Sequence, residues 1–126
     1  METQPKKILV VEDDKALSML LVSQLTNEGF AVSEENNGVD GFETALKDHP
    51  DLILLDIILP GMDGLTFLKK LREDAWGEKA SVIIMSNLDD SEKVSEAMKR
   101  GVLDYFIKTD WKLEDVIAKI KQKLGV

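Results

Sequence analysis

A chain of 126 residues, 44% hydrophobic and 32% charged, suits one compact domain with a core of its own. Asp and Glu number 24 against 16 Lys and Arg, and the resulting net charge of -8 has the wrong sign for gripping a phosphate backbone, so direct nucleic-acid binding is not expected. The absence of cysteine excludes a disulfide scaffold and a thiolate metal site and fits a cytoplasmic setting, while no apolar run has the pattern of a signal peptide or the length of a membrane span.

Short strand-like runs alternate five times with helix-like stretches. Lys6 to Val11 reads as a first strand, after which Leu17, Leu20, Leu21 and Leu25 recur at helical spacing until Gly29 stops the helix. Phe30 to Glu34 forms a short second strand, and Val39, Phe42, Ala45 and Leu46 give the second helix its apolar face, ending before Pro50. Asp51 to Asp56 (DLILLD) is apolar on both faces, as a central parallel strand covered on both sides must be. Pro60-Gly61-Met62-Asp63-Gly64 is turn chemistry, with Asp63 as N-cap of a helix carrying Leu65, Leu68 and Leu71. Ser81 to Ser86 is the fourth strand, followed by helical spacing at Val94, Ala97, Met98 and Gly101. Leu103 to Lys108 is the fifth, and Asp110 is expected to cap the last helix, with Trp111 as its first residue and a stripe of Leu113, Val116, Ile117, Ile120 and Leu124.

Five βα units of this length imply an α/β fold, a doubly wound, five-stranded parallel sheet in the order 2-1-3-4-5, with any site at the carboxyl ends of the strands. Those ends carry Glu12, Asp13 and Asp14 after strand one, Asp56 after strand three, Ser86 on strand four and Lys108 after strand five. Each residue alone has an ordinary reading. Asp56 and Ser86 serve equally as turn or helix caps, Glu12, Asp13 and Asp14 as an acidic first helical turn, Lys108 as a solvated strand-end lysine. Together they make an all-oxygen cluster. Two carboxylates about 5 Å apart repel by roughly 3 kcal/mol at an effective dielectric near 20, which a divalent cation relieves, and Mg²⁺ favours sparse carboxylate sites completed by water and phosphate oxygens. A carboxylate such as Asp56 can then attack a phosphoryl group if a fixed cation, here Lys108, balances the charge on the transferring oxygens.

This set resembles the receiver domain of bacterial two-component response regulators over nearly the whole chain, a flavodoxin-like (βα)5 fold. Val10 to Asp14 resembles the family's acidic pair, with Glu12 and Asp13 in the paired positions, and Asp56 to Gly64 resembles its phosphorylation segment. Ser86 falls at the switch hydroxyl, Tyr105 at the switch aromatic and Lys108 at the lysine near the phosphate. The resemblance implies that Asp13 and Asp56 ligate Mg²⁺, that Glu12 acts through water and that the Ile58 backbone carbonyl completes the protein ligands. It further implies that a sensor histidine kinase or histidine phosphotransfer protein donates the phosphoryl group. The signal then passes to a protein partner over the surface of helix four, strand five and helix five. Residues 1–126 read as a single stand-alone domain of the chemotaxis type, without an output domain, a membrane segment or an enzymatic activity beyond its own phosphoryl transfer. The alternative is an interaction module that keeps this fold unphosphorylated.

Two departures stand out. Thr109 occupies the place where the family usually has proline, so a trans peptide is expected after Lys108, the cis form costing a non-proline residue roughly 3 kcal/mol. Asn87 replaces a smaller residue, and apolar Ile58 and Leu88 flank the phosphoryl position, where they are expected to restrict an attacking water. His49 is expected in a surface loop, and Trp76 and Trp111 are expected to pack on the core edge.

Overall fold

The computed structural model describes residues 4–87 and 90–126; Leu88 lies outside them. Five strands, β1 (Lys7–Val11), β2 (Ala31–Glu35), β3 (Leu52–Leu55), β4 (Val82–Ser86) and β5 (Asp104–Ile107), alternate with helices α1 (Lys15–Asn27), α2 (Gly38–Asp48), α3 (Gly64–Glu73), α4 (Ser91–Lys99) and α5 (Leu113–Leu124). All strand pairs are parallel, in the order β2-β1-β3-β4-β5. A short 3-10 turn, Gly77–Lys79, precedes β4 and was not foreseen from the sequence.

The period-2 pleat sorts each central strand between two layers. Leu9, Val11, Ile53, Leu55, Val82 and Ile84 share one core with Phe67, Leu68, Leu71 and Ala97 of α3 and α4. Ile8, Val10, Leu52, Leu54, Ile83 and Met85 face the other way, against Leu21 and Leu25 of α1 and Val116 and Ile120 of α5. All of these side chains are buried. Both faces are therefore sealed, and the strand ends are left as the place for polar chemistry.

Some local expectations are corrected. Strand ends move by about one residue; Phe30, for instance, donates its amide to Leu25 O and finishes α1 instead of starting β2. Leu20, Val39 and Met98 lie at helical spacing yet are exposed. Asp110 is not the cap of α5: its amide bonds Ile107 O at 2.9 Å and closes the turn after β5, and Lys112 stands at the N-cap without a side-chain bond. Trp111 packs against the α1 and α5 core as expected, two residues before the helix starts. His49 is exposed, as expected; it ends α2 in the left-handed region (φ 49°), and its ring stacks on Trp76 at 4.4 Å.

Asp63 caps α3 as expected, accepting from the Leu65 and Thr66 amides at 3.1 and 3.2 Å and from Thr66 Oγ1 at 2.6 Å. Partial burial pushes its pKa upward, but these bonds outweigh burial and hold it below the ordinary aspartate value. A carboxylate depressed on folding contributes stability above its unfolded pKa and loses it as pH falls through the folded one. Asp63→Ala is expected to cost about 1 kcal/mol at neutral pH. Asp63→Asn, which still caps, should keep most of that stability while flattening the acid limb of a melting-temperature profile. Equal losses in both variants at neutral pH would contradict the capping role.

Candidate functional site

The strand order reverses between β1 and β3, so their carboxyl ends flank a crevice. Register then sets which side chains meet there. Val11 pairs with Leu55, and the next residues of the two strands are Glu12 and Asp56. The Asp56 amide donates to Val11 O at 3.0 Å, and the Glu12 amide to Glu35 O at 3.0 Å, so both backbones stay in the ladder while the side chains reach the rim.

Glu12 and Asp56 are almost completely buried, 1% and 4% exposed, whereas Asp13 is open to solvent. Carboxylate oxygens of Glu12, Asp13 and Asp56 lie within 4.8 Å of one another, a grouping able to hold a metal ion. Lys108 reaches in from the end of β5, its Nζ 2.6 Å from Asp56 Oδ2 and 2.5 Å from Glu12 Oε1. The first contact is a hydrogen bond; the second is an ion pair, and Glu12 Oε1 receives no well-aligned hydrogen bond. The other oxygens are held by backbone: Asp56 Oδ1 accepts the Ile58 amide at 3.0 Å, and Glu12 Oε2 the Asp14 amide at 2.9 Å.

The electrostatics follow from burial. Desolvation raises the pKa of Glu12 above the ordinary glutamate value, because the Lys108 ammonium beside it and the bond from the Asp14 amide only partly offset it. Burial alone would depress Lys108, yet Asp56 and Glu12 together raise it and keep it an ammonium. With all four groups ionised, three carboxylates against one ammonium leave two negative charges uncompensated, the complement of a divalent cation.

The remaining expected residues enter through neighbouring strands. Ser86 ends β4 fully buried, and its carbonyl accepts the Lys108 amide at 2.8 Å, which ties the ammonium-bearing turn to β4. Tyr105 on β5 is half-buried against the α3 and α4 core. Ile58 offers its amide to Asp56 and leaves its side chain 54% exposed. Among the described residues no peptide bond is cis, so Thr109 follows Lys108 through a trans bond as expected.

Several supports of the site escaped the sequence reading. Asn36 Nδ2 holds Glu12 O at 2.9 Å, and the Gly38 amide bonds Pro60 O at 3.1 Å, fastening α2 to the loop after Asp56. A Cβ on Gly64 would stand 2.5 Å from Asp56 O and 2.6 Å from Ile57 Cα. Only the Asn-Asn-Gly run of 36–38 hinted at the first two, as turn chemistry.

The sequence profile of the response regulator receiver domain matches residues 8–121. The chain belongs to that family. Receiver domains are signalling modules of two-component systems, and this one is 33% identical over 115 residues to the response regulator ArlR of Staphylococcus aureus. That match covers 91% of this chain and 51% of ArlR, so the receiver domain spans about half the length of the curated relatives it matches. A CheY-like receiver domain protein from Methanospirillum hungatei superposes with a TM-score of 0.89 at 27% identity, covering 97% of this chain and 95% of that one. The receiver domain of a Pseudomonas aeruginosa sensor histidine kinase, which has a magnesium ion coordinated in its active-site cleft, shares the fold with a TM-score of 0.85 at 22% identity, covering 98% and 100% of the two chains. The expected fold is therefore the observed one, and no helix among the described residues is long and apolar enough to cross a membrane.

Proposed function

We propose that this receiver domain is a cytoplasmic phosphorylation switch in which Asp56 accepts a phosphoryl group from the phosphohistidine of a sensor histidine kinase or phosphotransfer protein. The convergence of Glu12, Asp13 and Asp56 within 4.8 Å, with Lys108 Nζ 2.6 Å from the Asp56 carboxylate, carries this reading. Asp13 and Asp56 would hold Mg²⁺, with Glu12 acting through water and the Ile58 carbonyl completing the protein ligands. When bound, the ion neutralises charge on the transferring oxygens.

The chain's own residues do the rest. A carboxylate oxygen of Asp56 attacks phosphorus, forming an O–P bond as the P–N bond to the donor imidazole breaks and its electron pair stays on nitrogen. The Ile58 amide and the Lys108 ammonium fix the two carboxylate oxygens beforehand, so little reorganisation is needed. After transfer, Ser86 donates its hydroxyl to a phosphoryl oxygen and Tyr105 turns inward, remodelling the α4, β5 and α5 surface that a downstream protein reads.

Intact mass after incubation with Mg²⁺ and a small acyl phosphate tests this reading. Wild type should carry one labile phosphoryl adduct and Asp56→Asn none. An adduct surviving the substitution would move the site elsewhere, and no adduct with any competent donor would favour an unphosphorylated interaction module.

A further inference from the structure

At the opposite end of the sheet, where β4 and β5 begin, lies a cavity of about 410 Å³ lined by Arg72, Lys79, Lys99, Arg100, Glu78 and Ser81, among others. Four cations against one carboxylate is an unusual neighbourhood in a chain of net charge -8. Among the described residues none of the four pairs with a carboxylate.

Arg72 is the lining residue held most firmly. Its guanidinium donates to the carbonyls of Arg100 and Ala80, both at 2.7 Å, of Gly77 at 2.9 Å and of Gly101 at 3.2 Å. Burial depresses its pKa, but a guanidinium never loses its proton in this setting, so a fixed positive charge remains in the cavity lining. The Nε of Arg100, another lining residue, is buried with no hydrogen-bond partner, a donor that costs free energy while unmet. Lys79 and Lys99 stand exposed on the rim, from the 3-10 turn and the end of α4.

We propose that this cavity is a second ligand site, separate from the carboxylate cluster, for a small anion carrying a diphosphate group. A fixed guanidinium, a buried unmet donor and two exposed ammoniums supply more positive charge than one monoanionic carboxylate would balance. The space also exceeds a lone phosphate, since a water occupies about 30 Å³ of liquid and a phosphate is only a few times larger. A free diphosphate ion and the diphosphate of a nucleotide share this chemistry.

Calorimetric titration of the whole chain with sodium pyrophosphate, metal-free and at low salt, tests the site. Wild type should bind saturably at one site, Asp56→Asn equally well, and Lys79→Gln/Lys99→Gln about tenfold or more weakly. The two lysines are exposed, and circular dichroism checks that the variant is folded. A nucleoside diphosphate binding more tightly than pyrophosphate assigns a nucleotide; equal affinity assigns the free ion. No heat and no melting shift in wild type would overturn the proposal. So would undiminished binding to the double lysine variant, or an equal shift with sodium sulfate at matched ionic strength, which would reduce the effect to charge screening.

Discussion

Lys108→Ala is expected to lower the melting temperature of the metal-free protein by about 10 °C, and Mg²⁺ to restore most of the loss. The side chain lies between two carboxylates that are 1% and 4% exposed, at 2.5 and 2.6 Å. Removing one partner from such a group leaves buried charge uncompensated, at a cost of about 3 kcal/mol or more, and for a domain of this size each kcal/mol shifts the midpoint by about 4 °C. Glu12, whose pKa burial already raises, would take up a proton in part and blunt the loss. A divalent cation binding only the folded state then stabilises it by mass action, by about 2.7 kcal/mol at a hundred times its dissociation constant. Because no ammonium competes for the same oxygens, the Mg²⁺-induced rise should be larger in the variant than in wild type. A raised lysine pKa contributes stability that is whole below the unfolded value and declines as pH rises through the folded one, so the alkaline loss expected in wild type should be missing from the variant. Identical Mg²⁺ shifts in the two proteins would separate the metal from these carboxylates.

Gly64→Ala should slow phosphoryl transfer from an acyl phosphate by about a hundredfold, the scale expected when a reacting group is displaced by about 1 Å. The new Cβ would meet Asp56 O at 2.5 Å and Ile57 Cα at 2.6 Å, both backbone atoms that cannot swing aside. Alanine gains about 1 kcal/mol over glycine in a helix, but overpacking costs up to about 3 kcal/mol, so a net loss of about 2 kcal/mol is expected by chemical denaturation. Relief requires β3 and α3 to part, and Asp56 moves with β3. Gly29→Ala is the contrasting control: its φ of 97° brings backbone strain but no close contact, and it should lose stability while keeping the labelling rate of wild type. An unaltered rate in Gly64→Ala would mean that the Asp56 backbone tolerates the shift.

The sheet was legible because DLILLD, apolar on both faces, read as a central strand covered on both sides, and the structure bears this out by sending Ile53 and Leu54 to opposite cores. Asp56 was legible as a charge at the end of an apolar strand. Its environment was less so. The Ile58 amide lies two residues away and the loop folds it back onto Asp56, but the Lys108 contact spans fifty-two positions and depends on how the turn after β5 leans over the rim. The misplaced cap at Asp110 has a similar origin. Side-chain chemistry suited a cap, and the backbone turn to Ile107 claimed the residue first. Exposed Leu20, and Met19 at 67% exposure, show the limit of spacing in a helix that is apolar nearly all round.

The fastening of Arg72 to carbonyls at the start of β4, with the carboxylates gathered beyond the end of β1 and β3, sets a fixed cation and an acidic cluster at opposite ends of the strands, a charge separation along one axis. An object with an axis turns in a field. A charged protein approaching this domain feels a torque before it feels a surface, and the two poles favour one orientation of encounter over its reverse. Selection among partners can therefore begin at a distance set by the ionic strength, ahead of any contact between side chains.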